Sequence, residues 1–207
     1  MKICLVSALA LSCSLALPAA ELEEGPGTCR YGVRLIAATP RQDFRDMTGR
    51  TGFGAGLFAE TALSPTTALQ TRFDFISYPQ TNQPGGAQIT SLTVPKPITL
   101  AVDSTALGVD IRHNLPYPKL ERVYLLGGLM GIRYEFNSSA IGTVNGQNGV
   151  PVPGIIRTKQ KTSFKLGLAV GLGVELHQGL ALSGRFTTID INGTTFATLE
   201  TSLSYRF

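Results

Sequence analysis

The sequence predicts an all-β chain, an eight-stranded antiparallel up-and-down transmembrane β-barrel. Three observations carry that prediction. Thr162–Leu176 alternates without a break: Phe164, Leu166, Leu168, Val170, Leu172, Val174 and Leu176 share one parity, and Lys165, Gly167, Ala169, Gly171, Gly173 and Glu175 the other. A strand sends successive side chains to opposite faces, so one face is bulky and apolar and the other small or charged, whereas a spacing of about 3.6 residues per turn would mix them. The stretch is also long. At roughly 3.3 Å per residue it extends about 40 Å, and a tilt near 45° brings that close to the ~25 Å apolar band of a membrane barrel. Finally, the pattern recurs along the chain, with long and short connections in alternation.

The 207-residue chain opens as a secretory precursor. Lys2, the apolar run Ile3–Leu17 and the small residues Pro18-Ala19-Ala20 read as a cleaved signal peptide over residues 1–20, too short and wrongly flanked for a transmembrane helix. Residues 21–29 then form a periplasmic N-terminal segment and residues 30–207 the barrel. Cys4 and Cys13 leave with the leader, so Cys29 has no intrachain disulfide partner.

The first strand is expected over Arg30–Ala38, with Tyr31, Val33 and Leu35 against Gly32, Arg34 and Ile36. Thr39–Arg50 is polar and reads as an exposed loop. The second strand, Thr51–Leu63, sets Phe53, Ala55 and Leu57 against Gly54, Gly56, Phe58 and Glu60. Ser64-Pro65-Thr66 is a tight turn. The third strand, Thr67–Tyr78, places Leu69, Phe73 and Phe75 opposite Gln70, Arg72 and Asp74, and Pro79–Pro97 is a second long loop. In the fourth strand, Ile98–His113, Leu107, Val109 and Ile111 oppose Gly108, Asp110 and Arg112, and the phase near Asp103-Ser104 suggests a bulge.

The fifth strand, Leu120–Phe136, follows a short turn. Tyr124, Leu126, Met130, Ile132, Tyr134 and Phe136 are expected to face lipid, with aromatics at both ends as interfacial girdles. Val123, Leu125, Leu129, Arg133 and Glu135 are expected inside. Asn137–Thr158 is the longest loop. After the sixth strand, Leu180–Ile191 and Thr194–Phe207 are joined by Asn192-Gly193, a strong hairpin signal. An even number of strands puts both termini and the short turns at the periplasmic end and the long loops outside. Closure pairs every backbone group in lipid.

By parity, Arg34, Glu60, Arg72, Asp74, Asp110, Arg112, Arg133, Lys165, Glu175, Arg185 and Glu200 face the lumen. An eight-stranded interior is just wide enough for side chains to fill. Mixed signs in so narrow a space predict a salt-bridge network that plugs the barrel, since buried charges are tolerated only when paired. Ile36, Phe58, Val123, Leu125 and Leu129 are expected beside it, as a dry plug or as the lining of a path for a small apolar molecule.

The ending Ser204-Tyr205-Arg206-Phe207 resembles the C-terminal signature of bacterial outer-membrane barrels, a terminal phenylalanine with an aromatic two residues earlier. That resemblance implies that Tyr205 and Phe207 are the signal read by the barrel-assembly machinery, and that the protein resides in the bacterial outer membrane. The strand number and ending are similar to the OmpX/Ail and OmpA-barrel group, and the strand number to OmpW-type barrels.

Other chemistry finds little footing. The formal charge is only +4, and the basic loop residues Arg41, Arg45, Arg50, Lys96, Arg157 and Lys159 form no stripe with interleaved aromatics. This argues against nucleic acid and for contact with outer-membrane lipid and lipopolysaccharide. His113 and His177 end strands at the periplasmic rim, away from any ligand spacing for a metal or a His-x-Ser pair at the outer rim. The expectation is a monomer with no cofactor, metal or catalytic residue. It is a non-enzymatic barrel with a charge-plugged lumen and a structural or surface-interaction role, its extracellular partner unspecified. A narrow channel for small or apolar solutes is the alternative.

Overall fold

The computed structural model describes residues 27–83, 88–89, 92–93, 98–117, 120, 122–145, 151–162, 164–191 and 193–207. The segment expected as a leader (residues 1–20) and most of the segment 21–29 lie outside the described residues. The elements are β1 (Cys29–Arg41), α1 (Gln42–Thr48), β2 (Gly52–Ala62), β3 (Thr67–Gln83), β4 (Gln88–Ile89), β5 (Leu92–Thr93), β6 (Ile98–Asn114), β7 (Val123–Asn145), β8 (Pro151–Lys161), β9 (Lys165–His177), β10 (Leu180–Ile191) and β11 (Thr194–Arg206).

The sheet runs β6-β3-β2-β1-β11-β10-β9-β7-β8, and a further pairing of β6 with β7 closes it. All these pairings are antiparallel, and β4 and β5 form a separate two-stranded pair. Eight strands, β1, β2, β3, β6, β7, β9, β10 and β11, make the barrel wall. The first strand closes on the last with Gly32 opposite Arg206 and Arg41 opposite Ala197, so no sheet edge is left in the lipid.

The outer face is an apolar belt. Leu35, Phe53, Leu57, Phe73, Phe75, Val109, Leu129, Leu166, Leu168 and Leu172 are exposed, as residues bathed in acyl chains must be. At its extracellular edge the belt gives way to outward-facing Asp103, Arg133, Glu135, Lys159 and Lys161. Beyond that line the wall is uneven. β7 and β8 continue as a hairpin from the Glu135–Lys161 pair to the Asn145–Pro151 pair, and β3 and β6 reach the Gln83–Ile98 pair. The hairpin's 11-residue strand β8 corresponds to about 35 Å at ~3.3 Å per residue.

Five expectations need correction. The segment Asn137–Thr158, expected as a loop, is largely this hairpin. Above the membrane both faces meet water, so strands there need no amphipathic alternation, and Ser-, Thr-, Val- and Ile-containing sequence carries the ladder. Thr39–Arg50 is not an open loop, because α1 lies within it and Phe44 is fully buried. Of the Pro79–Pro97 loop, the described parts belong to the end of β3 and the β4–β5 pair. The bulge expected at Asp103-Ser104 lies in the partner strand: pairing slips between Tyr78 and Thr81 of β3, while β6 keeps its alternation through Val102, Ser104 and Ala106.

The fifth correction concerns β7, whose faces are opposite to those expected. Tyr124, Leu126, Met130, Ile132 and Tyr134 are buried in the lumen, and Leu125 and Leu129 are exposed. Both parities of β7 are apolar, so its own sequence cannot orient it. Its register against β6 does: Gly128 lies opposite Asp110 and Leu126 opposite Arg112, which places the even residues inside.

Candidate functional site

The lumen is organised in layers. At the periplasmic end four charged side chains from four strands close a ring. Arg112 on β6 donates to Glu60 on β2 at 3.1 Å and to Glu175 on β9 at 2.7 Å. Arg206 on β11 donates to Glu60 at 2.6 Å and to Glu175 at 3.0 Å. The Arg112 guanidinium also lies 4.1 Å from the centre of the Tyr124 ring. Below the ring opens a vestibule of ≈ 150 Å³, with Arg30, Glu60, Arg112, Asn114, Glu175 and Arg206 on its wall.

At mid-height six residues form a chain of alternating sign: Arg34, Asp74, Arg72, Asp110, Arg185 and Glu200. The Arg34 Nε donates to Asp74 Oδ1 at 2.6 Å, with a second bond from the same guanidinium to Oδ2. Arg72 bonds Asp74 through Nη1 and Asp110 through Nε at 2.9 Å. The Arg185 Nη2 donates to the same Asp110 oxygen at 2.8 Å, and its Nη1 stands 4.0 Å from Glu200. These side chains come from β1, β3, β6, β10 and β11, and none is more than 5 % exposed. Among the described residues, Asp110 Oδ1, Arg112 Nε, Arg185 Nε and Arg185 Nη1 are buried without a hydrogen-bond partner.

Glycines make this density possible. A Cβ on Gly56 would meet Asp74 Oδ1 at 2.1 Å, one on Gly108 the Arg72 Nε at 2.6 Å, and one on Gly128 the Asp110 Oδ1 at 2.4 Å. The glycine parity of the strands is thus the room into which neighbouring strands extend their charges.

The extracellular half is apolar. Ile36, Ile76, Val102, Ala106, Met130, Ile132, Ala169, Ile189 and Ile191 are buried together there. Above them Phe44 of α1 points into the barrel. Its ring centre lies 5.0 Å from that of Tyr78, 5.1 Å from Tyr134 and 5.0 Å from Phe196. The Thr48 hydroxyl donates back to Phe44 O at 2.8 Å, and the Thr81 hydroxyl reaches Met47 O at 3.3 Å.

Of the eleven residues expected in the lumen, the structure joins nine in these two assemblies: Arg34, Glu60, Arg72, Asp74, Asp110, Arg112, Glu175, Arg185 and Glu200. Lys165 lies on the inward parity at the top of β9, half-buried, with no ion pair among the described residues. Arg133 does not face the lumen. It pairs with Thr105 on the outer parity of β6 and belongs to the charged rim above the belt. The apolar interior also changes membership: Ile36 and Phe58 are inside, while Leu125, Leu129 and Val123 share the outer parity.

Two participants escape the sequence list. Arg206 completes the periplasmic ring, and its parity with Ser204, Ser202 and Glu200 was the available signal. Phe44 had no comparable signal within a polar segment. The expected assembly residues Tyr205 and Phe207 are outward and exposed at the periplasmic end, and the Phe207 N–H bonds Tyr31 O at 2.9 Å. The His113 Nδ1 stands 3.0 Å from the Thr67 hydroxyl at the periplasmic rim.

Outside, a break in β-structure between β8 and β9 changes the phase. Thr162 is tied to Tyr134 by its amide at 2.9 Å and by its hydroxyl, which lies 2.9 Å from Tyr134 N and 3.3 Å from Tyr134 O. Even residues of β9 face lipid, but odd residues of β8 do so above the break. Arg157, Lys159 and Lys161 therefore project on the membrane side, and Lys159 and Lys161 both pair with Glu135.

Comparisons with known proteins agree with this architecture. No curated protein matches the chain in sequence. Among solved structures, Ail, the attachment invasion locus protein of Yersinia pestis, is similar in two forms. Its complex with the heparin analogue sucrose octasulfate is 11 % identical, with a TM-score of 0.54, covering 88 % of this chain and 100 % of Ail. A second Ail structure is 13 % identical, with a TM-score of 0.52 and the same coverage. At such identity the likeness concerns the fold. A family model described as the outer membrane protein beta-barrel domain matches residues 5–207. The chain therefore belongs to the outer membrane protein β-barrel domain family, and it is a protein of the bacterial outer membrane.

Proposed function

We propose that this barrel is a non-enzymatic protein with a structural or surface-interaction role, whose lumen is plugged by its own charges. The observation that carries the reading is the mid-height chain Arg34–Asp74–Arg72–Asp110–Arg185–Glu200, which links five strands with almost fully buried side chains. A solute crossing here would have to break charge-assisted bonds and leave ions unpaired, which is costly in a medium of low effective dielectric.

The outward reach lies in the β7–β8 hairpin and the β3–β6 extension, the surfaces on which an extracellular partner would dock. Arg133, Arg157, Lys159 and Lys161 stand just above the apolar belt, where phosphate groups of outer-leaflet lipid and lipopolysaccharide lie. Tyr205 and Phe207 are the residues proposed to engage the barrel-assembly machinery, and the mature barrel is proposed to act as a monomer.

The test is solute flux. Residues 21–207 are refolded into lipid vesicles, and release of entrapped small ions and sugars is measured against protein-free vesicles. The expected result is a folded barrel with flux at the lipid background. Flux well above background would replace this reading with that of a narrow channel. In cells displaying the protein, exchange of residues 140–156 for a short turn is expected to abolish surface binding and leave the barrel folded.

A further inference from the structure

The interior of the extracellular mouth is an aromatic box filled by the chain's own side chain. Tyr78, Tyr134 and Phe196 come from three different wall strands, and each ring faces Phe44 at 5.0–5.1 Å, one edge-on and two tilted. The two tyrosine rings and Phe196 enclose a ring-shaped space that is apolar on its walls. Phe44 occupies that space and is 0 % exposed.

The element that delivers Phe44 is built to be separable. The helix α1 has seven residues and no side-chain N-cap, a length at which helices are unstable without tertiary packing. It is bounded on both sides by left-handed backbone: Gln42 has φ 50° and Gly49 has φ 64°. Glycine adopts that region readily, but glutamine does so at a steric cost. Asp43, Arg45 and Asp46 of α1 face water. The helix is therefore a short amphipathic flap between two turns, held to the barrel by Phe44, Thr48 and Met47 among its contacts.

We propose that α1 is a self-inhibitory lid, and that the box of Tyr78, Tyr134 and Phe196 is a binding site for a small uncharged aromatic group arriving from the extracellular side. Phe44 occupies the site in the free chain and leaves it when α1 lifts. The ligand class follows from the space: one planar ring fits where the benzyl group sits. Ile76, Val102 and Ile132 nearby are apolar, and nothing in the box calls for a charge on the ligand. The site lies above the mid-height ion chain, so the proposal holds whether or not the lumen conducts.

The probe is 4-fluorobenzyl alcohol, followed by fluorine NMR on the refolded chain in lipid nanodiscs, with empty nanodiscs subtracting partition into lipid. Wild type is expected to show weak saturable binding. Phe44→Ala is expected to bind roughly tenfold tighter or more, because the competent open state no longer has to be populated against a bound ring. A second variant retains Phe44: Met47→Cys with Thr81→Cys in a Cys29→Ser chain, which ties α1 to β3 when oxidised. Binding is expected in its reduced form and to disappear on oxidation. Absence of saturable binding in both wild type and Phe44→Ala overturns the site. Binding that survives oxidation of the tethered variant overturns the lid.

Discussion

Asp110 is the residue on which the lumen turns. It is 0 % exposed, and one of its oxygens accepts from both Arg72 and Arg185. Asp110→Ala would leave two buried guanidinium groups short of an anion, and breaking a buried pair this way costs about 3–5 kcal/mol. The expected outcome is an unfolding free energy, from urea titration in lipid vesicles, lowered by that amount, with the midpoint moved to lower urea. Gly108→Ala probes the same assembly from the opposite side. Its Cβ would stand 2.6 Å from the Arg72 Nε, an atom already held by Asp110, and overpacking of this kind costs about 1–3 kcal/mol. The same unfolding measurement checks it, and no loss would mean that the charges have room to move. Parity made most of these residues legible in the sequence, because Arg34, Arg72, Asp74 and Arg185 stand on strands whose other face is plainly apolar. Arg133 was misplaced together with the rest of β7, whose two faces were assigned the wrong way round; it shares the outer parity of Leu125 and Leu129, and at the edge of the belt its charge meets water and headgroups.

At the scale of the element, legibility depends on contrast between the two faces. The leucine face and glycine face of β9 can be oriented from sequence, whereas β7 has valine and leucine on one face and tyrosine, leucine, methionine and isoleucine on the other. Only its register against β6 decides, and register is a relation between distant segments. The helix α1 was missed for another reason: seven residues carry too little periodicity, and its stability comes from the barrel into which Phe44 inserts. The base of the β7–β8 hairpin offers a pH test. The Lys159 and Lys161 ammonium groups hold the Glu135 carboxyl down to about 2, from an ordinary value of 4.5. The folded value is the depressed one, so the pairing contributes fully above about pH 4.5 and is lost as pH falls through about 2. Carbon NMR of the Glu135 carboxylate is expected to show that low midpoint, rising toward the ordinary value in Lys159→Gln/Lys161→Gln. At high salt the midpoint should rise as well, because the groups are exposed and screened. A midpoint unmoved by the double substitution would mean that the lysines do not pair with Glu135 in solution.

For the whole molecule, the proposed plug and the proposed lid would act in series. Tyr78 at the aromatic cap and Asp74 in the ion chain are four residues apart on β3, which at ~3.3 Å per residue and a tilt near 45° separates the two layers by about 10 Å along the axis. Permeation is limited by the narrowest point, so opening one layer leaves the other in control. Phe44→Ala frees α1 from its anchor but leaves the ion chain whole. Arg185→Ala with Glu200→Ala removes one cation and one anion, keeps the lumen's charge balance and leaves Asp110 bonded to Arg72, but the cap stays shut. Neither variant is expected to raise single-channel conductance in a planar bilayer above that of the unmodified barrel. The triple variant Phe44→Ala/Arg185→Ala/Glu200→Ala is expected to conduct, giving a strongly non-additive result. Equal conductance from Phe44→Ala alone would show that water and ions already pass between the paired charges, and the plugged-lumen reading would fall. Silence in the triple variant, with the barrel folded, would place a further barrier in the residual Arg34–Asp74–Arg72–Asp110 bonds or in the periplasmic ring of Glu60, Arg112, Glu175 and Arg206.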